Sequence, residues 1–219
     1  MKKQMFRSAL MLAVIGFPSL ASAEETIPQD GLWAKVGLGA SSASYTARYS
    51  VYVPDFGDTV DGEGTISGTA PDLRADFGSV VSPGTVLHAS LGFSQLKEPE
   101  SESKNSVDGD VVDESTGKLD ETISMRSVSA GLTHYFGEAS ITVRGGYTTT
   151  STDDDGTSFD PEGVLYGAGL GYDFVASGSS RFGIGLNIDH ASLDLPKRAP
   201  DSESFGYTSF GLFLNGTFY

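Results

Sequence analysis

Few residues in this chain are placed to do chemistry. His190-Ala191-Ser192 sets an imidazole and a hydroxyl two positions apart. On an extended strand, residues i and i+2 share a face, so His190 is placed to act as base to a Ser192 nucleophile. Glu203, in the following loop, is the carboxylate that would orient the imidazole. A second set is Asp153-Asp154-Asp155-Gly156, several carboxylates close together. Hard cations such as Ca²⁺ take oxygen ligands, but a full EF-hand spacing is absent and a solvated acidic loop is the simpler reading. No metal or cofactor is expected. A third set is Lys35, Arg74, Asp76, His88, Arg144, Asp173, Arg181 and Asp189, which share one parity of strand-like segments. They would line either an ion path or a plug of paired side chains.

Each reading depends on the elements that carry the residues. The dominant pattern along the chain is period two, the signature of strands. It predicts strands near 31–42, 65–81, 85–97, 122–136, 139–150, 163–174, 181–193 and 206–219. Within them Leu38, Phe77, Leu91, Val143, Leu170, Ile184 and Leu212 fall on the apolar parity, and Gly, Ser, Thr and the third charged set on the other. Met125 breaks the pattern of its strand, and a bulge there would restore it. The connections alternate. Ser82-Pro83-Gly84, Phe136-Gly137-Glu138 and Ser177-Gly178-Ser179 are short turns. The segments around 55–63, 98–121, 152–156 and 196–203 are longer and acidic, and are expected as loops.

An even number of strands, with long loops on one side and tight turns on the other, is the pattern of an outer-membrane barrel. The expected fold is therefore all-β: an eight-stranded antiparallel transmembrane β-barrel, an up-and-down meander. The non-apolar face carries too few charges for a water-exposed surface. It suits the interior of a narrow barrel, which side chains can fill, and the apolar face then meets lipid. Tyr135, Phe136, Tyr172, Phe174, Phe218 and Tyr219 fall near the short-turn ends and would form an aromatic girdle. Trp33 is expected as an interface anchor or as lumen packing.

The N-terminus carries Lys2, Lys3 and Arg7, then an apolar run to Leu20, then Ala21-Ser22-Ala23. That is the order of a secretory signal, so residues 1–23 are expected to be removed and 24–219 to form the barrel. The leader holds three of the 14 Lys and Arg and none of the 29 Asp and Glu, so the remainder is more acidic than the whole chain at −15. Such a surface repels nucleic acid phosphates, and a nucleic-acid partner is not expected. There is no cysteine, so no disulfide or thiolate metal site is available.

The run Gly167-Ala168-Gly169-Leu170-Gly171-Tyr172-Asp173-Phe174 resembles a strand of the OmpA/OmpX/opacity-type outer-membrane β-barrel family. So does the closing pair of strands ending Thr217-Phe218-Tyr219. The resemblance implies a location in the bacterial outer membrane. It also implies that Phe218 and Tyr219 form the terminal signal read by the barrel-assembly machinery. His190-x-Ser192 with Glu203 is similar to the arrangement of the outer-membrane lipid A deacylases, with Leu193 where that family has Asn. The leading expectation is a barrel with a structural or surface-interaction role through acidic extracellular loops, catalysing no reaction. Its expected surroundings are outer-membrane lipid and lipopolysaccharide, and a monomer is expected. A lipid A deacylase-like esterase is the alternative, and a narrow pore is a third reading.

Overall fold

The computed structural model describes residues 30–53, 58–153, 160–177, 179–194 and 202–219, without the side chains of 53, 153, 175–177, 202 and 203. The expected leader at 1–23 lies outside the described residues, as do Asp154 and Asp155. The described residues form ten strands: β1 (Leu32–Val53), β2 (Asp58–Ser82), β3 (Thr85–Lys97), β4 (Glu100–Val107), β5 (Asp110–Lys118), β6 (Thr122–Phe136), β7 (Ala139–Asp153), β8 (Glu162–Ser177), β9 (Ser180–Asp194) and β10 (Ser202–Phe218). Hydrogen bonding runs β1-β10-β9-β8-β7-β6-β3-β2 and returns to β1 through β1–β2 pairing. Those eight strands close a ring in which every neighbour is antiparallel. Closure leaves no ring edge and satisfies the backbone internally, which is what lets a sheet stand in hydrocarbon.

The alternation read in the sequence becomes the inside and outside of the ring. Leu38, Phe77, Leu91, Val143, Leu170 and Leu212 are exposed on the outer face, each more than 45% accessible. An apolar belt of this kind would be expelled from water and belongs against lipid. Outward Phe136, Phe174, Phe182 and Phe218 ring the short-turn end. Tyr135 and Tyr219, expected in that girdle, point into the lumen instead. Tyr135 is 2% exposed and accepts a hydrogen bond from Trp33 Nε1 at 3.1 Å, and the Tyr219 ring lies 5.2 Å from the Arg181 guanidinium. They sit one residue from their outward neighbours Phe136 and Phe218, and a step of one residue reverses the face. Trp33, 2% exposed, is lumen packing.

Two further expectations are corrected. No bulge surrounds Met125, since the β3–β6 and β6–β7 registers run through it unbroken. Met125 and Ile123 face inward and pack with Tyr45, Leu96, Leu165, Leu193 and Tyr207. The lumen thus has an apolar upper storey, a feature that small and polar inward residues elsewhere did not foreshadow.

The second correction concerns the acidic segments. The stretch at 98–121, expected as a loop, is largely the β4–β5 hairpin, and 58–63, also expected as loop, belongs to β2. Asp108 (φ 51°) and Gly109 (φ 86°) make the hairpin turn, the Asp-Gly pair that two-residue hairpins favour because both central residues need positive φ. β1 and β2 have 22 and 25 residues, about twice what a tilted strand needs to cross a bilayer. Above the belt they continue as a sheet with β4 and β5, in the order β1-β2-β4-β5.

This extension is held by polar cross-strand contacts. Arg48 Nε donates to Glu63 Oε2 at 2.7 Å, Ser50 Oγ to Asp61 Oδ1 at 2.7 Å, and Tyr49 Oη to Asn105 Oδ1 at 2.8 Å. The Tyr49 ring lies over Gly62, where a Cβ would come within 2.1 Å of it. Acidic composition hid these strands because their alternation is polar on both faces.

Candidate functional site

The candidate catalytic residues stand at the outer rim. On the lipid-facing parity, β9 changes from Ile184, Leu186 and Ile188 to His190, Ser192 and Asp194. β10 changes at the same level from Leu212 and Phe210 to Thr208 and Gly206, and β1 reaches Ser44, Thr46 and Arg48. These rows mark the upper limit of the belt. The small β10 residues floor an open trough of about 490 Å³, lined among others by Ser44, Arg48, His190, Ser192, Gly206 and Thr208.

Within the trough, the β9–β10 register sets Thr208 opposite His190 and Gly206 opposite Ser192. His190 Nδ1 is 2.9 Å from Thr208 Oγ1, and the Tyr166 ring packs 5.0 Å from the imidazole. Among the described residues no hydrogen bond joins His190 to Ser192. Glu203 belongs to β10, but its side chain is not among those described. A nucleophile and base act when they are within hydrogen-bond reach of each other. The threonine across the strand, not the serine along it, is the group that holds this imidazole. Replacing Ser192 by Ala is therefore expected to leave the acyl-chain number of lipid A unchanged when the protein is expressed in a Gram-negative host. Mass spectrometry of extracted lipid A reads this, and a gain of one acyl chain in the variant would reinstate the esterase.

The third set gathers inside. Arg74, Asp76, His88, Arg144, Asp173, Arg181 and Asp189 are all buried, and Lys35 shares their inward parity. Asp189 is the centre of an ion cluster. Its Oδ2 accepts from Arg74 Nη2 at 2.9 Å, and its two oxygens take Arg144 Nη2 at 2.6 and 2.7 Å and Nε at 3.0 Å. The Arg74 guanidinium also stacks 5.2 Å from the inward Phe213 ring.

Below it, Lys35 lies within Coulomb reach of Asp76 and Asp173, and Arg181 of Asp173. His88 Nδ1 meets Ser90 Oγ and Nε2 meets Thr133 Oγ1, each at 3.1 Å. Asp72, at the same parity two residues before Arg74 and 5% exposed, joins the group; its position beside Arg74 and Asp76 is the signal that could have found it. Lys35, Arg74, Arg144 and Arg181 thus stand against Asp72, Asp76, Asp173 and Asp189. Among the described residues the interior is charge-balanced, with no single-sign ring of the kind that sorts ions in a pore.

Above this layer sits the apolar storey around Tyr45 and Tyr207, and below it the Trp33, Val86 and Tyr135 cluster. The void beside Lys35, Arg74, Asp76 and Arg144 is about 20 Å³, room for about one water. Arg74 and Arg144 are held at ion-pair distance by Asp189, and an interior packed in this way acts as a filled core.

Among the described residues no group of three or more His, Cys, Asp or Glu is arranged to hold a metal ion. Asp153 ends β7, and its two acidic neighbours lie outside the described residues.

No protein-family model matches the chain, and no curated protein matches it in sequence. Solved structures resemble it. Neisserial surface protein A is 11% identical, with 83% of this chain and 96% of that one covered at a TM-score of 0.42. Ail, the attachment invasion locus protein of Yersinia pestis, solved with the heparin analogue sucrose octasulfate, is 14% identical, with 86% and 99% covered at 0.43. The outer membrane protein OprG from Pseudomonas aeruginosa is 11% identical, with 87% and 96% covered at 0.42. The closed ring and apolar belt identify the fold by themselves: it is that of the small eight-stranded outer-membrane β-barrels.

Proposed function

We propose that this barrel is a non-enzymatic surface protein of the bacterial outer membrane, whose acidic extracellular sheet is the contact surface for other molecules. The observation that carries the reading is the continuation of β1 and β2 far above the apolar belt, joined by β4 and β5. A barrel needed only to fill or seal the membrane gains nothing from strands twice the spanning length. A rigid scaffold that lifts a variable surface clear of the headgroups suits recognition.

The surface is strongly acidic. It carries Asp58, Asp61, Glu63, Glu100, Glu102, Asp110, Asp113 and Glu114 and the cations Arg48, Lys104 and Lys118. It favours basic partners and repels anionic ones at low salt. The packed, charge-balanced lumen supports a structural barrel over a narrow pore. Outer-leaflet lipid and lipopolysaccharide are the proposed surroundings of the belt, with the barrel-assembly machinery reading Phe218 and Tyr219 during insertion.

The test is replacement of residues 100–118 by a short Gly-Ser turn. The ring strands make no pairing with β5, and β4 touches only the upper half of β2. The shortened protein is thus expected to fold and to keep its heat-modifiable migration on gels. Cells carrying it should lose at least about tenfold in adhesion to surfaces coated with basic protein. Unchanged adhesion with the sheet removed would overturn the reading.

A further inference from the structure

The trough at the upper limit of the belt is built from small side chains. On the outward face Tyr166, His190, Thr208 and Ser44 stand in one register. Val164, Ser192, Gly206 and Thr46 stand in the next, with Ser204 and Arg48 paired above them. The gap left by Gly206 and its serine and threonine neighbours holds about 490 Å³, a size common among small-molecule sites.

Its lining mixes donors and acceptors. Ser44, Thr46, Ser192 and Ser204 present hydroxyls, each able to donate or accept. Arg48 binds Glu63 through Nε, which leaves its Nη nitrogens to donate. His190 Nδ1 is taken by Thr208, which leaves Nε2. Asp194 adds a carboxylate that only accepts. Negative charge prevails nearby, because Glu162 stands directly opposite Asp194 and Glu63 opposite Arg48. A phosphate head would meet that excess. A neutral sugar would not, and its hydroxyls can donate to Asp194 and accept from Arg48.

Position decides what stands there. The trough opens on the lipid-facing parity where the belt ends, at the extracellular side, so its neighbour in the membrane is a lipid of the outer leaflet. A furrow leads up to it. On β1 the outward Ala40 and Ser42 are small, and they lie between Leu212 and Phe210 of β10 and Pro71 and Thr69 of β2.

We propose that the trough seats the sugar headgroup of an outer-leaflet glycolipid, with an acyl chain lying along the Ala40–Ser42 furrow. The site does not depend on the acidic sheet, and it stands whether or not that sheet binds a partner.

The chain contains no cysteine, so Ser67→Cys places a single thiol on β2, directly opposite Ser44, for a bimane label. Val128→Cys carries the same label on the outer face of β6 as a control. The full-length barrel is placed in phosphatidylcholine vesicles with a small fraction of quencher lipid, which bears a nitroxide near the head of one acyl chain. Four quencher lipids share their chains and differ in the head: phosphocholine, a neutral two-sugar head, phosphatidic acid and phosphoethanolamine. The two-sugar lipid is expected to quench the label at position 67 about threefold more than the phosphocholine lipid does. At position 128 the two should quench alike. Gly206→Leu should abolish the preference. A Cβ there meets only ordinary contacts, 3.7 Å from the Ala191 carbonyl oxygen and 3.9 Å from His190 Cε1, so the side chain fills the trough while the backbone stays. Asp194→Ala, at the exposed rim, should weaken the preference in a barrel that folds normally. Equal quenching by all four lipids overturns the site. Strongest quenching by phosphatidic acid or by the phosphoethanolamine lipid overturns the sugar as its occupant. A two-sugar preference that survives Gly206→Leu overturns the trough as the seat.

Discussion

Asp189→Ala is expected to be the most damaging single substitution in the barrel interior, costing about 4 kcal/mol of unfolding free energy. Asp189 is 3% exposed and is the shared acceptor of two buried guanidiniums, Arg74 on β2 and Arg144 on β7, which lie on either side of β9 in the ring. Its removal leaves both cations in a space with about 20 Å³ of void, too small to rehydrate them. Losing one partner of a buried pair costs more than the pair itself contributes, because the survivor keeps its desolvation penalty.

Urea unfolding in lipid vesicles can be followed through Trp33, the chain's single tryptophan, which sits inside the barrel. Glu63→Ala serves as the comparison. It breaks the Arg48–Glu63 pair, whose side chains are 64% and 48% accessible, and an exposed pair contributes less than about 1 kcal/mol. Adding Arg144→Met to Asp189→Ala should recover part of the loss, since it removes one of the two orphaned charges. Equal effects for Asp189→Ala and Glu63→Ala would show that the interior cluster is hydrated and the lumen open.

Two consecutive glycines on β7 should respond in opposite ways to the same change. Gly146 points inward, opposite Ser129 of β6. A Cβ there would fall 2.1 Å from the Val128 carbonyl oxygen and 2.4 Å from Ser129 Cα. Those atoms are backbone of the paired strand and cannot swing aside. Gly146→Ala is expected to cost about 3 kcal/mol, the upper range for overpacking. Gly145 points outward, and its Cβ would find nothing nearer than 3.9 Å. Gly145→Ala should stay within about 0.5 kcal/mol of the parent, with a tendency to stabilise because glycine weakens a strand interior. Folding yield into vesicles and the same tryptophan-monitored unfolding read both. A similar cost at the two positions would show that the strand, and not the close inward approach, sets the requirement for glycine.

Both predictions bear on how the protein works. The interior is a tight, charge-balanced core inside a lipid-facing shell, and it makes the barrel a rigid mount. Rigidity matters to the proposed role because the sheet above the belt is continuous with the ring through β1 and β2. It is held by cross-strand polar bonds with little apolar burial of its own. A stiff base holds that sheet clear of the headgroups.

The sequence by itself determined the ring strands at the level of the belt, their order and the face most of their residues take. Those are local properties. Alternation of Leu, Val and Phe with Gly, Ser and Thr reports which side meets an apolar medium, one residue at a time. Pro83-Gly84 and Gly137 mark where the chain must turn, and Gly84 and Gly137 adopt positive φ as turns require. One further local signal, Asp108-Gly109, announced the β4–β5 hairpin, but the surrounding acids masked it. A sheet that is polar on both faces carries no hydrophobic period to read.

What only the tertiary structure decided is which inward residues meet. Asp189 lies 115 positions from Arg74 and 45 from Arg144, and no spacing along the chain pairs them. Their meeting depends on the width of the closed ring and on the stagger between strands, which hydrogen bonding around the whole circle sets. The same holds at the rim. His190 and Ser192 share a face by parity, but the β9–β10 register hands the imidazole to Thr208. Closure likewise gathered Met125, Tyr45 and Tyr207 from three strands into one apolar storey, where the single strand of Met125 read as an irregularity.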